Sequence, residues 1–251
     1  MPLMKIGLID SGIGGFSILQ AAQTALPYNQ YVYLADQANF PYSERSTSEL
    51  SDLARQHVRV LTNQYNCEII ILACNTLSVA ALAAIRKEVA LLPCIGTVPP
   101  VKVAADCLPV HANALVLASE HTAQSEYLQN LLAQYPHCNW TVVGSTALVQ
   151  AIEVHDQITT LAILTAIRDT YLTTTFAGIV LGCTHFPLAH KQISATWSNA
   201  QLFSPSEGVV RQLSKLTPTD MKHRQPLEPI FLTTPSYLPA PALARRYYAI
   251  L

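Results

Sequence analysis

IIILACNTLSVAAL at residues 69–82 and GIVLGCTHFPLAHK at residues 178–191 follow one plan: an apolar run, a small residue, a cysteine, a polar pair, then a helical stretch. A short apolar run bounded by polar residues and followed by helical periodicity predicts a strand and the helix after it. Strand–helix units in series predict a parallel sheet. Outward from the first stretch the plan recurs as KIGLID (5–10) before SGIGGFSILQAAQTAL (11–26), and as YVYLAD (31–36). Around the second it recurs as ALVLASEH (114–121) before TAQSEYLQNLLAQY (122–135), then WTVVGSTALVQAIE (140–153), a helical stretch ending near Tyr171, and QLFSPSEG (201–208) before VVRQLSKL (209–216). Polar residues match in order too: Asp10-Ser11 with Ser119-Glu120, and Asp36 with Glu153. The expectation is an α/β protein of two pseudo-symmetric parallel-sheet domains.

PCIGTVPPV (93–101) reads as the crossover between the halves, because Pro99-Pro100 continues neither a strand interior nor a helix. A Pro-rich stretch from Thr217 to Pro241 precedes a last helical segment, PALARRYYAIL. Its apolar run IFLTT (230–234) suits an added strand in either half, and pattern alone does not choose.

Half of the 251 residues are apolar, 12% are charged and the net charge is −1. That composition supports a sizeable core and supplies no basic footprint for nucleic acid or an anionic membrane. The N-terminal apolar run is too short for a signal segment and no stretch approaches a membrane span, so a cytoplasmic location is expected. Low charge content also suits a homodimer interface. The six cysteines form no CxxC pair, which argues against a zinc site or a dithiol redox motif. In a reducing compartment they are free thiols.

In open parallel sheets, ligands bind beyond the carboxyl ends of the strands, where helix N-termini present unpaired N–H groups. Cys74 and Cys183 both fall there. A thiol at the positive end of a helix dipole has its ordinary pKa of about 8.5 lowered, which makes both candidates for reactive cysteines. Asn75 and Thr76 follow the first; Thr184 and His185 follow the second, and their amide, hydroxyl and imidazole groups suit a zwitterionic ligand. The DSGIGG loop adds Asp10 and Ser11 with glycines that permit close backbone approach, but it lacks the pattern of a phosphate loop. A two-base proton transfer at a carbon needs an acid/base on each face, which two thiols in two like halves would supply. A cysteine hydrolase built on Cys183-Thr184-His185 leaves Cys74 unexplained. The plainer reading of Asp10, Asn75 and Thr76 as helix caps, and of Tyr42 as a packed aromatic, does not explain the recurrence around a second cysteine. Cys67, Cys94, Cys107 and Cys138 have no polar constellation and read as structural.

In order along the chain, DSGIGG (10–15), FPYSERS (40–46), ACNTLS (73–78), TAQSEY (122–127), Glu153 and LGCTHFPL (181–188) together resemble the glutamate racemase family of the aspartate/glutamate racemase superfamily. The resemblance implies two α/β domains with the active site at their interface: residues 1–97 completed by the tail 209–251, and residues 98–208. It implies cofactor-independent interconversion of L- and D-glutamate, needing no metal, pyridoxal phosphate or nucleotide, with the product feeding peptidoglycan synthesis. Cys74 would take the proton from the D-enantiomer and Cys183 from the L-enantiomer. Asp10 would support the first thiol, His185 and Glu153 the second. Asp10, Ser11, Tyr42, Ser43, Asn75, Thr76, Thr122, Thr184 and His185 would hold the substrate. Ser43, Leu77 and Ser204 depart from the family pattern, which bears on pocket shape. Activation by a cell-wall precursor is not expected, since the N-terminal extension associated with it is missing. The rivals are an aspartate or hydantoin racemase of the same plan, and a non-catalytic regulatory binding protein.

Overall fold

The computed structural model describes residues 4–217 and 225–250. In chain order these form β1 (Lys5–Asp10), α1 (Phe16–Ala25), β2 (Gln30–Ala35), α2 (Thr47–Asn63), β3 (Ile69–Leu72), α3 (Asn75–Glu88) and β4 (Cys94–Gly96). There follow α4 (Val101–Cys107), β5 (Asn113–Ala118), α5 (Glu120–Ala123), α6 (Glu126–Ala133), β6 (Asn139–Gly144), α7 (Thr146–Glu153), α8 (Gln157–Thr170), β7 (Gly178–Gly182), α9 (His190–Thr196) and β8 (Gln201–Phe203). The chain ends with α10 (Ser206–Leu216), β9 (Ile230–Thr233), β10 (Leu238–Pro239) and α11 (Pro241–Ile250). Two compact units result, one of Met1–Thr97 with Ser206–Leu251, the other of Val98–Pro205. No helix among the described residues is long and apolar enough to cross a membrane.

The first unit holds a six-stranded sheet in the order β10-β9-β2-β1-β3-β4, parallel except for β10. All four residues of β3 are buried, as a continuous apolar run between two neighbouring strands requires. The helix α2 lays Leu50, Ala54, Val58 and Leu61 on its buried face, and His57 stands in the same stripe. Ser46 and Glu49 close a reciprocal capping box at its start, a device that contributes about 1 kcal/mol.

The IFLTT run joins this sheet: β9 lies parallel to β2, with Tyr33 opposite Phe231 and Leu34 opposite Leu232. Aromatic packing accounts for the choice. Phe16, Tyr33, Phe231 and Tyr247 form one cluster, with Phe16 5.1 Å from both Tyr33 and Tyr247 and Phe231 5.2 Å from Tyr247, ring centre to ring centre. Burying such rings together is worth more than their area alone.

The second unit holds a four-stranded all-parallel sheet, β6-β5-β7-β8. Its central strands β5 and β7 are buried almost throughout, while β6 at the edge is half-buried. Three helical stretches differ from their sequence reading. FPLAHKQISATW opens as a 3-10 turn, Phe186–Ala189, with Pro187 in it, and α9 starts only at His190, so Cys183, unlike Cys74, does not stand at the N-terminus of an α-helix. TAQSEYLQNLLAQY divides into α5 and α6, because Ser125 turns away to accept a hydrogen bond from the Leu128 N–H and so caps a new helix. VVRQLSKL starts earlier, at Ser206, which also moves the boundary between the units from 208/209 to 205/206.

Candidate active site

In the first unit three adjacent parallel strands deliver the predicted residues to one edge of the sheet. Asp10 closes β1 opposite Ala35 of β2. The Asp36 N–H then donates to the Asp10 carbonyl at 2.8 Å, and the Ala73 N–H to the Ile9 carbonyl at 2.8 Å. Asp10, Asp36 and Cys74 therefore leave neighbouring strand ends. Asp10 and Ser11, Tyr42, and Cys74 with Asn75 and Thr76 are all buried there; Ser43 is half-buried beside Tyr42.

The helix-cap alternative fails for the aspartate. The Asp10 carboxylate accepts from the Gly12 N–H at 2.8 Å, whereas α1 is preceded by Gly15 and has no side-chain cap. Gly15 is there for proximity: a Cβ on it would lie 2.8 Å from the Tyr33 hydroxyl and 3.0 Å from the Asp10 Cβ. Among the described residues, α3, which opens directly after Cys74, likewise lacks a side-chain cap, while Ser46, Ser119, Ser125, Ser145 and Asp156 cap other helices. The N–H groups that such a helix end presents favour an anion. Asn75 strengthens the case. It is 2% exposed, and neither polar atom of its amide has a hydrogen-bond partner among the described residues. A buried unsatisfied polar group costs about 1–3 kcal/mol, a cost that is recovered when a bound molecule pairs with it.

Tyr42 is 1% exposed and its hydroxyl donates to Asp36 Oδ2 at 2.7 Å. Burial and then the Asp36 carboxylate raise its pKa well above the ordinary value, with smaller contributions from Cys74 and Asp10. The hydroxyl proton is thus spent on Asp36, and what Tyr42 offers a ligand is its ring and backbone.

In the second unit β5 and β7 are neighbours, with Ala118 opposite Gly182. Gly182 precedes Cys183 because a Cβ there would meet the Leu117 carbonyl oxygen at 2.9 Å. His185 is buried; its Nε2 lies 2.8 Å from Glu153 Oε2 at the end of α7, and its Nδ1 lies 3.9 Å from Cys183 Sγ. Burial opposes a charge on the imidazole, but Cys183 and Glu153 together outweigh it and hold the ring well above its ordinary pKa. Thr184 is buried between the two functional neighbours. Thr122 is fully buried in α5, the short helix after β5, where its hydroxyl meets that of the capping Ser119 at 3.0 Å.

The other cysteines divide as their surroundings dictate. Burial pushes the Cys67 thiol up to about 12 and the Cys94 thiol up to about 11. It also raises Cys138, while Cys107 is exposed. No group of three or more His, Cys, Asp or Glu side chains among the described residues is arranged to hold a metal ion.

Sequence reading missed one assembly. Asp36, matched only by its order in the chain, accepts hydrogen bonds from four side chains: His57, Tyr42, Thr234 and Asn39. His57 carried a usable signal, a histidine within the apolar stripe of α2, since a buried imidazole needs a polar partner.

Similarity to known proteins agrees with this geometry. Residues 17–213 match the model of the Asp/Glu/Hydantoin racemase family. Glutamate racemase of Actinobacillus pleuropneumoniae serotype 3 is 34% identical over 214 residues, covering 83% of this chain and 80% of the relative. That of Levilactobacillus brevis is 32% identical over 218 residues, covering 85% and 79%. A crystal structure of Escherichia coli glutamate racemase, in complex with L-glutamate and the activator UDP-MurNAc-Ala, superposes with a TM-score of 0.84 at 26% identity over 98% of this chain and 96% of that one. The chain belongs to the aspartate/glutamate/hydantoin racemase family and, within it, to the glutamate racemases.

Proposed function

We propose that the protein interconverts L- and D-glutamate by two-base proton transfer, with Cys74 and Cys183 as the acid/bases and no cofactor. The observation that carries this reading is the repeated placement of a buried thiol just beyond the carboxyl end of a central parallel strand, once in each unit. Cys74 deprotonates the α-carbon of the D-enantiomer while Cys183 returns a proton to it, and the roles exchange in the other direction. The charged imidazole of His185 beside Cys183 stabilises negative charge that develops on sulfur during transfer. Asp10 serves the first thiol by the opposite electrostatic effect, its negative charge raising the basicity of the Cys74 thiolate rather than stabilising charge on it. Ser11, Asn75, Thr76 and the N-terminus of α3, with Tyr42 and Ser43, receive one end of the substrate; Thr184, His185 and Thr122 receive the other. The product supplies peptidoglycan synthesis in the cytoplasm. A homodimer, suited by a surface with few charges, completes the reading.

The test is incubation of the purified protein with L-glutamate in D₂O, following optical activity by circular dichroism and the α-proton by NMR. Loss of rotation with deuterium entering the α-carbon, abolished in both Cys74→Ala and Cys183→Ala, is expected. Racemisation of aspartate but not glutamate would change the substrate and keep the mechanism; racemisation surviving either substitution would end the two-thiol reading.

A further inference from the structure

The carboxylate of Asp36 is wholly buried just beyond the end of β2, and three separate parts of the first unit converge on it. From the loop after β2 come Tyr42, whose hydroxyl donates at 2.7 Å, and Asn39, whose amide lies 3.0 Å from both oxygens. From α2 comes His57, fully buried, with Nε2 at 2.8 Å. From the tail comes Thr234, whose hydroxyl donates at 2.6 Å while its oxygen accepts from the Ala38 N–H at 3.1 Å. Beyond His57, the Tyr237 hydroxyl lies 3.3 Å from Nδ1, and the Tyr237 carbonyl accepts from Tyr65 at 2.7 Å.

We infer that Asp36 and His57 are positioning residues: they fix the loop bearing Tyr42 and Ser43 in its substrate-receiving shape, and they tie that shape to the docked tail through Thr234 and Tyr237. The inference rests on the racemase reading for its kinetic consequence. Its physical basis is separate. The loop runs from Asp36 to the capping serine of α2 with only two short 3-10 turns, Gln37–Asn39 and Tyr42–Glu44, and neither has a side-chain cap. The backbone hydrogen bonds of the segment close single short turns, so the placement of those turns against the sheet depends on what their side chains are attached to. Tyr42 is attached through its hydroxyl, Asn39 through its amide and Ala38 through Thr234, and all three attachments end on one carboxylate. Hydrogen bonds from His57, Thr234 and Tyr42, with the charge of His57, overcome the opposing effect of burial and keep Asp36 ionised down to about pH 2. The anchor is therefore an acceptor throughout the working range. An anchor of this kind acts on substrate binding more than on proton transfer, because neither residue touches a thiol.

His57→Leu removes the donor and keeps the bulk; His57→Gln restores an N–H toward Asp36. In racemisation assays the Leu variant is expected to raise KM for glutamate about tenfold with kcat within about twofold, and the Gln variant to recover most of the loss. Thr234→Val, a smaller change at the same carboxylate, is expected to move KM in the same direction and serves if the Leu variant does not fold. Hydrogen exchange read by mass spectrometry gives a measure independent of catalysis: the amides of residues 37–46 should exchange faster in His57→Leu while those of β1 and β3 do not. Unchanged KM and unchanged loop exchange in folded variants would overturn the inference. So would a fall in kcat at constant KM, or a Gln variant as impaired as Leu. A wild-type protein that does not racemise glutamate would instead overturn the functional reading, and loop exchange would still decide the role of Asp36 and His57.

Discussion

Each unit sets a histidine 2.8 Å from a buried carboxylate, His57 on Asp36 in the first and His185 on Glu153 in the second. The rings differ in what their other nitrogen meets. His185 presents Nδ1 to the Cys183 sulfur at 3.9 Å, whereas His57 presents Nδ1 to the Tyr237 hydroxyl at 3.3 Å. One pair therefore adjoins a thiol and the other a tyrosine hydroxyl. On the function proposed above, the same dyad serves chemistry in one half of the molecule and geometry in the other, and the third partner distinguishes them.

The largest effect expected from that contrast is at His185. Replacing it with Asn removes the charged group beside Cys183 and should lower kcat about a hundredfold, while leaving KM closer to the wild-type value. Steady-state kinetics in both directions check it. A loss confined to KM would leave His185 with a part in substrate binding alone and break the contrast.

A sharper form uses pH. Cys183 and Glu153 hold the His185 pKa above its ordinary value against the effect of burial. A group raised in the folded state contributes stability that is complete below its unfolded pKa of 6.5 and is lost as pH rises through the folded value. Glu153→Gln takes away one of the two raising influences, so the imidazole gives up its proton at lower pH. The alkaline limb of the kcat/KM profile should move toward lower pH, and alkaline unfolding should begin earlier. For Asp36 the sign is opposite. Its pKa falls from 3.8 to about 2 on folding, so its contribution is present above 3.8 and lost as pH falls through about 2. At 1.36 kcal/mol per unit that is about 2 kcal/mol of pH-dependent stability. Urea titrations of Asp36→Asn between pH 5 and about 2 should show a flatter acid profile than the wild type.

The strand–helix alternation was fully legible because buried parallel strands read as uninterrupted apolar runs and their helices as periodic ones; KIGLID, IIIL and GIVLG needed no tertiary information. The strand-end position of the two cysteines was legible for the same reason, each lying within two residues of the end of a run that repeats. The placement of IFLTT was not, because an apolar run of four or five residues fits any free sheet edge, and what selects β2 is the ring cluster of Phe16, Tyr33, Phe231 and Tyr247, drawn from distant parts of the chain. His57 was hidden for a related reason: its partner Asp36 lies 21 residues away on another element. Helix periodicity reveals that a histidine is buried without revealing against what.

Asn75 offers a smaller test in which stability and binding should part. Its buried amide lacks partners for both polar atoms, so Asn75→Ala should raise stability by about 1 kcal/mol while raising KM for glutamate. A variant that is both less stable and unchanged in KM would assign the amide to packing.

The smallest effect should come from a cysteine that resembles the two thiols only in being buried. Cys94 lies in β4 within the apolar core of the first unit, and burial pushes its thiol up to about 11. It has neither a helix N-terminus following it nor an imidazole beside it, and at neutral pH it is a small apolar side chain. Cys94→Ala should cost about 1 kcal/mol from the lost sulfur contacts, a fall in Tm of about 2–4 °C for a chain of this size, with racemisation within about twofold of wild type. Cys74→Ala should do the reverse, leaving Tm nearly in place and abolishing turnover. If Cys94→Ala also lost activity, the strand-end position would not be what distinguishes a reacting thiol here, and the contrast between the two classes of cysteine would fall with it.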